Sequence, residues 1–335
     1  MKILLLAPPR HPLLPGLEPV LKQGLAKAGH QAAWLRPGWP GRLFRRKPAA
    51  AQTLAQIRAF APRLIFCLDG GGLDPAVLAE AQRVTGAKLA AWWLTPEEKP
   101  GSSLAVAALC DLFLSGFPLE ASLYQSAGSR PPVFFPLGFS AKKYHKRFLS
   151  PGEGSKYGSE LACLGPLIRE NLKTLQVLSG CRLKIWSKRI FSMGKGGPQA
   201  KSYRLSSKYP LFPYFTGILP GPAAAAKIFN AAPVIIHLHS PVDPAASLQH
   251  DFEITGSGAF LLTDQPEWLS SHLKPEQEFV SFSSPGTLKE KVEYYLKNPT
   301  DRAYIALCGF QRTTTEHTWE HRMEQLADKL KRLEG

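Results

Sequence analysis

The 335-residue sequence lacks any Cys-x-x-Cys pair, and its five cysteines (Cys67, Cys110, Cys163, Cys181 and Cys308) are scattered and odd in number. That pattern argues against a disulfide framework and against a structural zinc site, and predicts reduced thiols that mostly pack. Long apolar runs are missing too. The N-terminal run Ile3-Leu-Leu-Leu-Ala7 meets Pro8-Pro9 at once, too short for a signal peptide or a membrane span, so a buried first strand and a cytoplasmic protein are expected. No internal repeat or long low-complexity tract appears. Negative charge is in deficit: 26 Asp and Glu against 41 Lys and Arg leave +15, which attracts nucleic acid, anionic membrane or phosphate-rich substrates without specifying a fold.

An apolar fraction of 44% with 20% charged residues is that of a chain able to bury a sizeable core, and the length suits two domains. Apolar strands alternate with amphipathic helices from the start. Leu17, Leu21, Leu25 and Ala28 share one helical face that Gly29 ends, and Gln31 to Leu35 reads as the next strand. Strands at Arg63–Leu68, Lys88–Leu94, Asp111–Ser115 and Val133–Leu137 are separated by helices, one opened by Asp74-Pro75. Near-continuous apolar strands in such alternation mean a parallel sheet covered on both faces. Between Ser140 and Ser159 the periodicity stops, and it resumes with strand Leu161–Leu164, helix Leu167–Ser179, strand Arg182–Trp186, helix Ala223–Asn230 and strand Val234–His239.

The expected organisation is an N-terminal Rossmann-like domain over 1–140, a linker over 141–159, a C-terminal Rossmann-like domain over 160–312 and a closing helix over 313–335. The fold class is α/β, two doubly wound Rossmann-like domains facing a cleft. Helices are expected at Leu288–Leu296 and at Asp301–Leu307, the latter stopped by Gly309. In the final helix Trp319, Met323, Leu326, Leu330 and Leu333 repeat as a packing stripe.

Several groups offer chemistry. Asp251 to Asp264 (DFEITGSGAFLLTD) reads as a helix, a glycine break and an apolar strand, with Glu253 as a carboxylate for paired hydroxyls and Gly256 and Gly258 allowing close backbone approach. An ordinary helix-to-strand connection with a solvated Glu is the plain alternative. His237 and His239 share one face of a strand. No third ligand of His, Cys or carboxylate type is obviously positioned beside them, so no metal is expected; His239 is read as a phosphate donor or a base, with a partly buried, hydrogen-bonded pair as the plain alternative. Asp69-Gly-Gly-Gly72 reads as a flexible loop, and Arg36–Lys47 as an exposed loop in which five cations interleave with Trp39, Leu43 and Phe44.

Phe252-Glu253-Ile254 with Gly258-Ala-Phe-Leu-Leu-Thr-Asp264, Tyr294-Tyr-Leu296, Asp301-Arg302, Ile305-Ala306, Gly309, His317-Thr318 and Arg322 resemble the CgeB, or spore maturation protein, branch of GT-B glycosyltransferases. The likeness is strongest over about residues 225–330; Phe135-Pro-Leu-Gly-Phe139 and Leu164-Gly165 with Arg169 extend it. It implies transfer of a sugar from a nucleoside diphosphate donor, a UDP-sugar, held by the C-terminal domain through Glu253, Gly256, Gly258, Arg169, Gly165 and Asn230, with no further cofactor. His239 and Glu98 are the candidate catalytic residues. The chain departs from the pattern in three places. Ala245 stands eight residues before Glu253 where many retaining GT-B enzymes have a second Glu, the run before Phe252 is Leu248-Gln-His-Asp251 in place of an Asn and an Arg, and the acidic pair before a proline appears as Thr95-Pro-Glu-Glu98 with its order changed.

Without an Asp-x-Asp triplet, transfer is expected to need no divalent metal. The acceptor (a glycan, a lipid-linked glycan or a protein) is left open. The cations of Arg36–Lys47, extended by Lys142, Lys143, Lys146 and Arg147, suggest an anionic membrane surface as a partner and a peripheral place at its inner face. A catalytically inactive GT-B-like binder is the alternative; a nucleic-acid binder is weaker, for no recognition motif accompanies the charge, and no specific nucleic-acid partner is expected.

Overall fold

In the computed structural model, the described residues are 1–8, 14–35, 50–97, 101–165, 168–187, 190–193, 201–204, 207, 209–239, 244–264 and 266–333. They divide into two compact units, Met1–Pro136 with Trp319–Gly335, and Leu137–Thr318.

The first unit is built from β1 (Lys2–Leu6), α1 (Leu14–Lys27), β2 (Gln31–Leu35), α2 (Ala50–Phe60), β3 (Leu64–Leu68), α3 (Pro75–Thr85), β4 (Lys88–Trp93), α4 (Ser102–Ala107), β5 (Leu112–Ser115), α5 (Ala121–Ser126) and β6 (Val133–Phe134). Its strands are all parallel, in the order β2-β1-β3-β4-β5-β6. β3 is buried at all five positions, as a central strand covered on both faces must be. Between β3 and α3 lies Asp69–Gly72, where the sequence predicts a flexible loop. It is a tight turn instead, with Asp69, Gly70, Gly71 and Gly72 all at positive φ and Gly70 and Gly71 buried. A Cβ at Gly71 would come within 2.7 Å of Leu6 Cβ, so this glycine permits a close approach. Asp69 pins the turn to the end of β4 by accepting the backbone N–H groups of Leu94 (2.6 Å) and Thr95 (3.2 Å) and the Thr95 hydroxyl.

The second unit contains α6 (Pro151–Tyr157), β7 (Leu161–Leu164), α7 (Arg169–Leu175), β8 (Leu183–Trp186), a hairpin of β9 (Ile190–Met193) and β10 (Lys201–Arg204), β11 (Phe215–Gly217), α8 (Pro222–Ala231), β12 (Val234–His237), α9 (Pro244–Gly256), β13 (Leu261–Thr263), α10 (Pro266–Leu269), β14 (Val280–Ser281), α11 (Pro285–Lys297) and α12 (Pro299–Glu316). Its main sheet is also six parallel strands, ordered β11-β8-β7-β12-β13-β14. Renumbered within the unit this is 3-2-1-4-5-6, the order common among dinucleotide-binding sheets, with its topological switch point between β7 and β12.

Three boundaries differ from those expected. The stretch 141–159 belongs to the second unit, where Ser150 and Glu153 form a capping box that starts α6. The last helix, α13 (Trp319–Lys331), belongs to the first unit, where it packs on α1; Gly24 of α1 lies so close to Met323 that a Cβ there would stand 2.6 Å from it. Gly309 does not stop a helix. It sits inside α12, where its missing side chain leaves room for the Glu278 carbonyl, 2.3 Å from the position of a Cβ. Among the described residues no helix is long and apolar enough to cross a membrane.

Candidate functional site

β12 alternates its side chains between the two faces of the sheet. Val234, Ile236 and Leu238 join one apolar cluster, which turns His237 and His239 to the opposite face. Pairing puts His237 level with Leu164 of β7 and Thr263 of β13, so both histidines stand at the carboxyl ends of the central strands. α9 follows and lays Asp251 against them. Asp251 Oδ1 lies 2.7 Å from His237 Nδ1 and Oδ2 lies 2.7 Å from His239 Nε2. The far side of the His239 ring is also held: Nδ1 is 2.9 Å from Asp264 Oδ1 and 3.2 Å from Thr263 Oγ1, and the His239 backbone N–H donates to the same Asp264 oxygen at 3.0 Å. Trp268 closes on His239 edge-on, with ring centroids 5.6 Å apart.

Asp251 is fully buried, and His237 and His239 nearly so. Burial opposes charge on each of them. For Asp251 the two histidines, by charge and hydrogen bonding, outweigh that penalty and hold the carboxyl well below the usual range. For His239 burial is likewise overcome, by Asp251 and then Asp264, and its value rises to about 9. For His237 burial prevails and lowers it.

The sequence points to His239 but not to its surroundings. Both of its ring nitrogens face carboxylate oxygens, so neither offers the free lone pair that a general base requires; the expected role as a base is corrected on that ground. The missing third ligand is also corrected, since His237, His239 and Asp251 present ligand atoms all within 4.8 Å of one another. The signal was present in the sequence: Asp251 and Asp264 are the first and last residues of the DFEITGSGAFLLTD stretch.

Gly165 ends β7 at the switch point with φ +127°, and a Cβ there would fall 2.1 Å from the Leu238 carbonyl oxygen. Only glycine allows the ends of β7 and β12 to come this close. Arg169 opens α7, but its side chain is outside the described residues, as is all of Glu98. Its neighbour Glu97 caps α4, accepting from the Ser103 hydroxyl at 2.6 Å and the Ser103 N–H at 3.1 Å. The basic loop 36–47 is likewise outside the described residues.

Glu253 lies two residues beyond Asp251 on α9 and therefore faces elsewhere. It is 5% exposed, with Oε2 at 2.6 Å from His250 Nδ1 and the Tyr144 hydroxyl bonded to it; Tyr144 stacks on Phe229 of α8. Burial and then the Glu253 charge push the Tyr144 phenol up.

Gly256 and Gly258 do not face a phosphate site. α9 runs back from the carboxyl ends of the strands, so its last turn lies at their amino ends, where helix carbonyls rather than N–H groups are left over. Gly258, at φ +74°, is the left-handed cap of that end, with the Gly258 N–H donating to the Thr255 carbonyl and the Ala259 N–H to that of Ile254. Gly256 makes room for the Phe139 ring, 2.3 Å from where its Cβ would be. Asn230 belongs to the same edge, donating to the carbonyls of Ala226 (2.8 Å) and Ser257 (3.2 Å), and so ties the ends of α8 and α9 together.

Residues 169–328 match the family model described as "Glycosyl transferase-like". The chain is 24% identical over 308 residues to spore protein CgeB of Bacillus subtilis (strain 168), covering 84% of this chain and 86% of that protein. In fold it is similar to Anabaena Alr3699/HepE, solved in complex with UDP and glucose, at TM-score 0.68, 13% identity and 99% of each chain. Sucrose-phosphate synthase (tll1590) from Thermosynechococcus elongatus gives TM-score 0.68 with 14% identity, again over 99% of each chain. The resemblance to CgeB read from the sequence therefore stands, and the family match with the two-sheet α/β fold supports a glycosyltransferase of GT-B type.

Proposed function

We propose that the protein transfers a sugar from a UDP-sugar to an acceptor, with the nucleotide bound by the second unit at the switch point between β7 and β12. The observation that carries this reading is the 3-2-1-4-5-6 strand order, with Gly165 bringing two strand ends together where such sheets take their ligands. The diphosphate lies near the Gly165 turn, with Arg169 as its cation. Glu253 takes the ribose hydroxyls, sharing its carboxylate with Tyr144 and His250. No magnesium or manganese on the diphosphate is required. The acceptor is handled by the first unit, with Glu98 as a catalytic carboxylate and the basic loop 36–47 meeting an anionic lipid surface at the inner face of the membrane. The HepE structure with UDP and glucose supports the choice of donor by analogy.

Binding without transfer is the second reading, and one observation favours it: His239 has no free ring nitrogen with which to act as a base. Calorimetry with UDP and UDP-glucose, followed by a donor-hydrolysis assay in magnesium-free and manganese-free buffer, tests both. Micromolar binding with turnover supports transfer, and binding without turnover supports the second reading. Absence of binding by either probe rejects both. Glu253→Gln is expected to weaken UDP by about 1–3 kcal/mol through unpaired hydroxyls; unchanged affinity removes Glu253 from the ribose.

A further inference from the structure

The buried His237, Asp251 and His239 group is a constellation that glycosyl transfer does not explain. We propose that these three residues bind a divalent transition metal, zinc by the nature of their donors. Each of the two 2.7 Å contacts from imidazole nitrogen to Asp251 oxygen must contain a proton or a cation, because two lone pairs cannot otherwise face each other so closely. One dication satisfies both contacts at once. It also balances charge: with both imidazoles neutral, Asp251 and Asp264 carry two negative charges, which a dication cancels and a single imidazolium does not.

Ligand identity and spacing agree. Zinc takes histidine nitrogen and carboxylate oxygen at about 2.0–2.2 Å, which puts ligand atoms of a tetrahedral site about 3.3 Å apart. The two nitrogen-to-oxygen contacts of 2.7 Å would open by about 0.6 Å to reach that spacing, and all three ligand atoms already lie within 4.8 Å of one another. Asp264 supplies an independent observation. It holds His239 Nδ1 at 2.9 Å and so directs Nε2 toward Asp251, the arrangement in which a carboxylate orients a metal-binding histidine through its other nitrogen.

Burial of all three groups makes this metal part of the floor of the second unit. It would lock α9 onto the end of β12, one residue from Leu238, whose carbonyl lies over Gly165. The proposal does not depend on the transferase reading, and a zinc ion here is separate from any ion on a diphosphate.

The test uses untagged, full-length protein produced with zinc, desalted without chelator and assayed for metal content with no sugar donor present. About one zinc per chain is expected, together with a higher melting temperature on adding zinc to chelator-treated protein, and visible d–d absorption from a bound cobalt ion. Asp251→Asn and His237→Ala are expected to lose the metal, and His145→Ala to keep it. Asp264→Asn is expected to retain the stoichiometry with an affinity about 10–100-fold weaker. Wild-type protein that stays metal-free and gains no thermal stability on zinc addition overturns the proposal and leaves protons alone between these groups. Full zinc content in Asp251→Asn overturns it as well, by placing the ion elsewhere. Because wild-type protein gives the deciding result, a variant that fails to fold does not obscure it.

Discussion

The two units solve the same problem, closing the carboxyl ends of a six-stranded parallel sheet, in different ways. In the first, Asp69 closes the ends of β3 and β4 through hydrogen bonds to backbone N–H groups and a hydroxyl, with a left-handed glycine run packed beneath. In the second, the ends of β12 and β13 are joined through ring nitrogens and carboxylates, His239 between Asp251 and Asp264. A carboxylate on backbone donors mostly fixes shape. A carboxylate on imidazoles also sets charge, and buried charge concentrated where ligands approach parallel sheets makes this group a candidate site. The strand orders differ, β2-β1-β3-β4-β5-β6 against β11-β8-β7-β12-β13-β14, and each switch point has its own glycine-relieved contact: Gly71 against the Leu6 side chain in the first unit, Gly165 against the Leu238 carbonyl in the second.

The comparison breaks most readily at Asp251. Asp251→Ala removes one carboxylate from two buried imidazoles and is expected to destabilise the second unit by about 3–5 kcal/mol, the range for an orphaned buried charge. Urea unfolding checks this, with hydrogen exchange to show the loss in β12 and β13 while β3 and β4 keep their protection. A loss below 1 kcal/mol would mean that the network is not a structural unit.

Gly165→Ala comes next. The new Cβ meets the Leu238 carbonyl and the backbone is held at φ +127°, so about 2–4 kcal/mol is expected from strain and overpacking together. UDP binding measured on whatever folds should fall with it. An alanine variant of wild-type stability and affinity would show that the strand ends can separate freely.

In the first unit, Asp69→Ala leaves the Leu94 and Thr95 N–H groups without their side-chain acceptor and keeps a non-glycine residue at φ 43°. About 1–3 kcal/mol is expected, with protection lost at the end of β4 and nucleotide binding untouched. If UDP affinity also fell, the division of labour between the two units would need revision.

The smallest effect is expected at Gly258→Ala. Its Cβ would meet nothing closer than 3.9 Å, so only the left-handed φ of +74° matters, worth about 1 kcal/mol. Because this cap lies at the amino ends of the strands, UDP affinity should not move. A tenfold loss would return the glycine turn to the nucleotide site.

Much of the fold can be read from local pattern. The strand at Leu161–Leu164 and the helix opened by Asp74-Pro75 are legible because a run of apolar residues, or an acceptor followed by proline, acts within a few positions of chain. The short strands β11 and β14 escape such a reading, because two or three residues carry no period and become strands only by pairing with β8 and β13. Gly309 is misread for a related reason: glycine in sequence suggests a stop, while in the fold it gives the Glu278 carbonyl room beside a continuous helix.

By itself, then, the sequence determined the alternation of strands and helices, the parallel sheets that follow from it, the packing stripe of the last helix and the position of His239 at a strand end. Tertiary structure alone decided which unit that last helix joins, the order of the strands, and thus that Gly165 meets Leu238. It also decided which edge of the sheet each residue of the Asp251 to Asp264 stretch reaches, sending its two aspartates to His239 and its glycines to the opposite edge. The physical reason is range. Propensity and burial pattern act over a turn of helix or a few strand residues, whereas a side chain 12 or 25 positions away in sequence reaches an imidazole only once sheet order and helix direction have been fixed by the packed core.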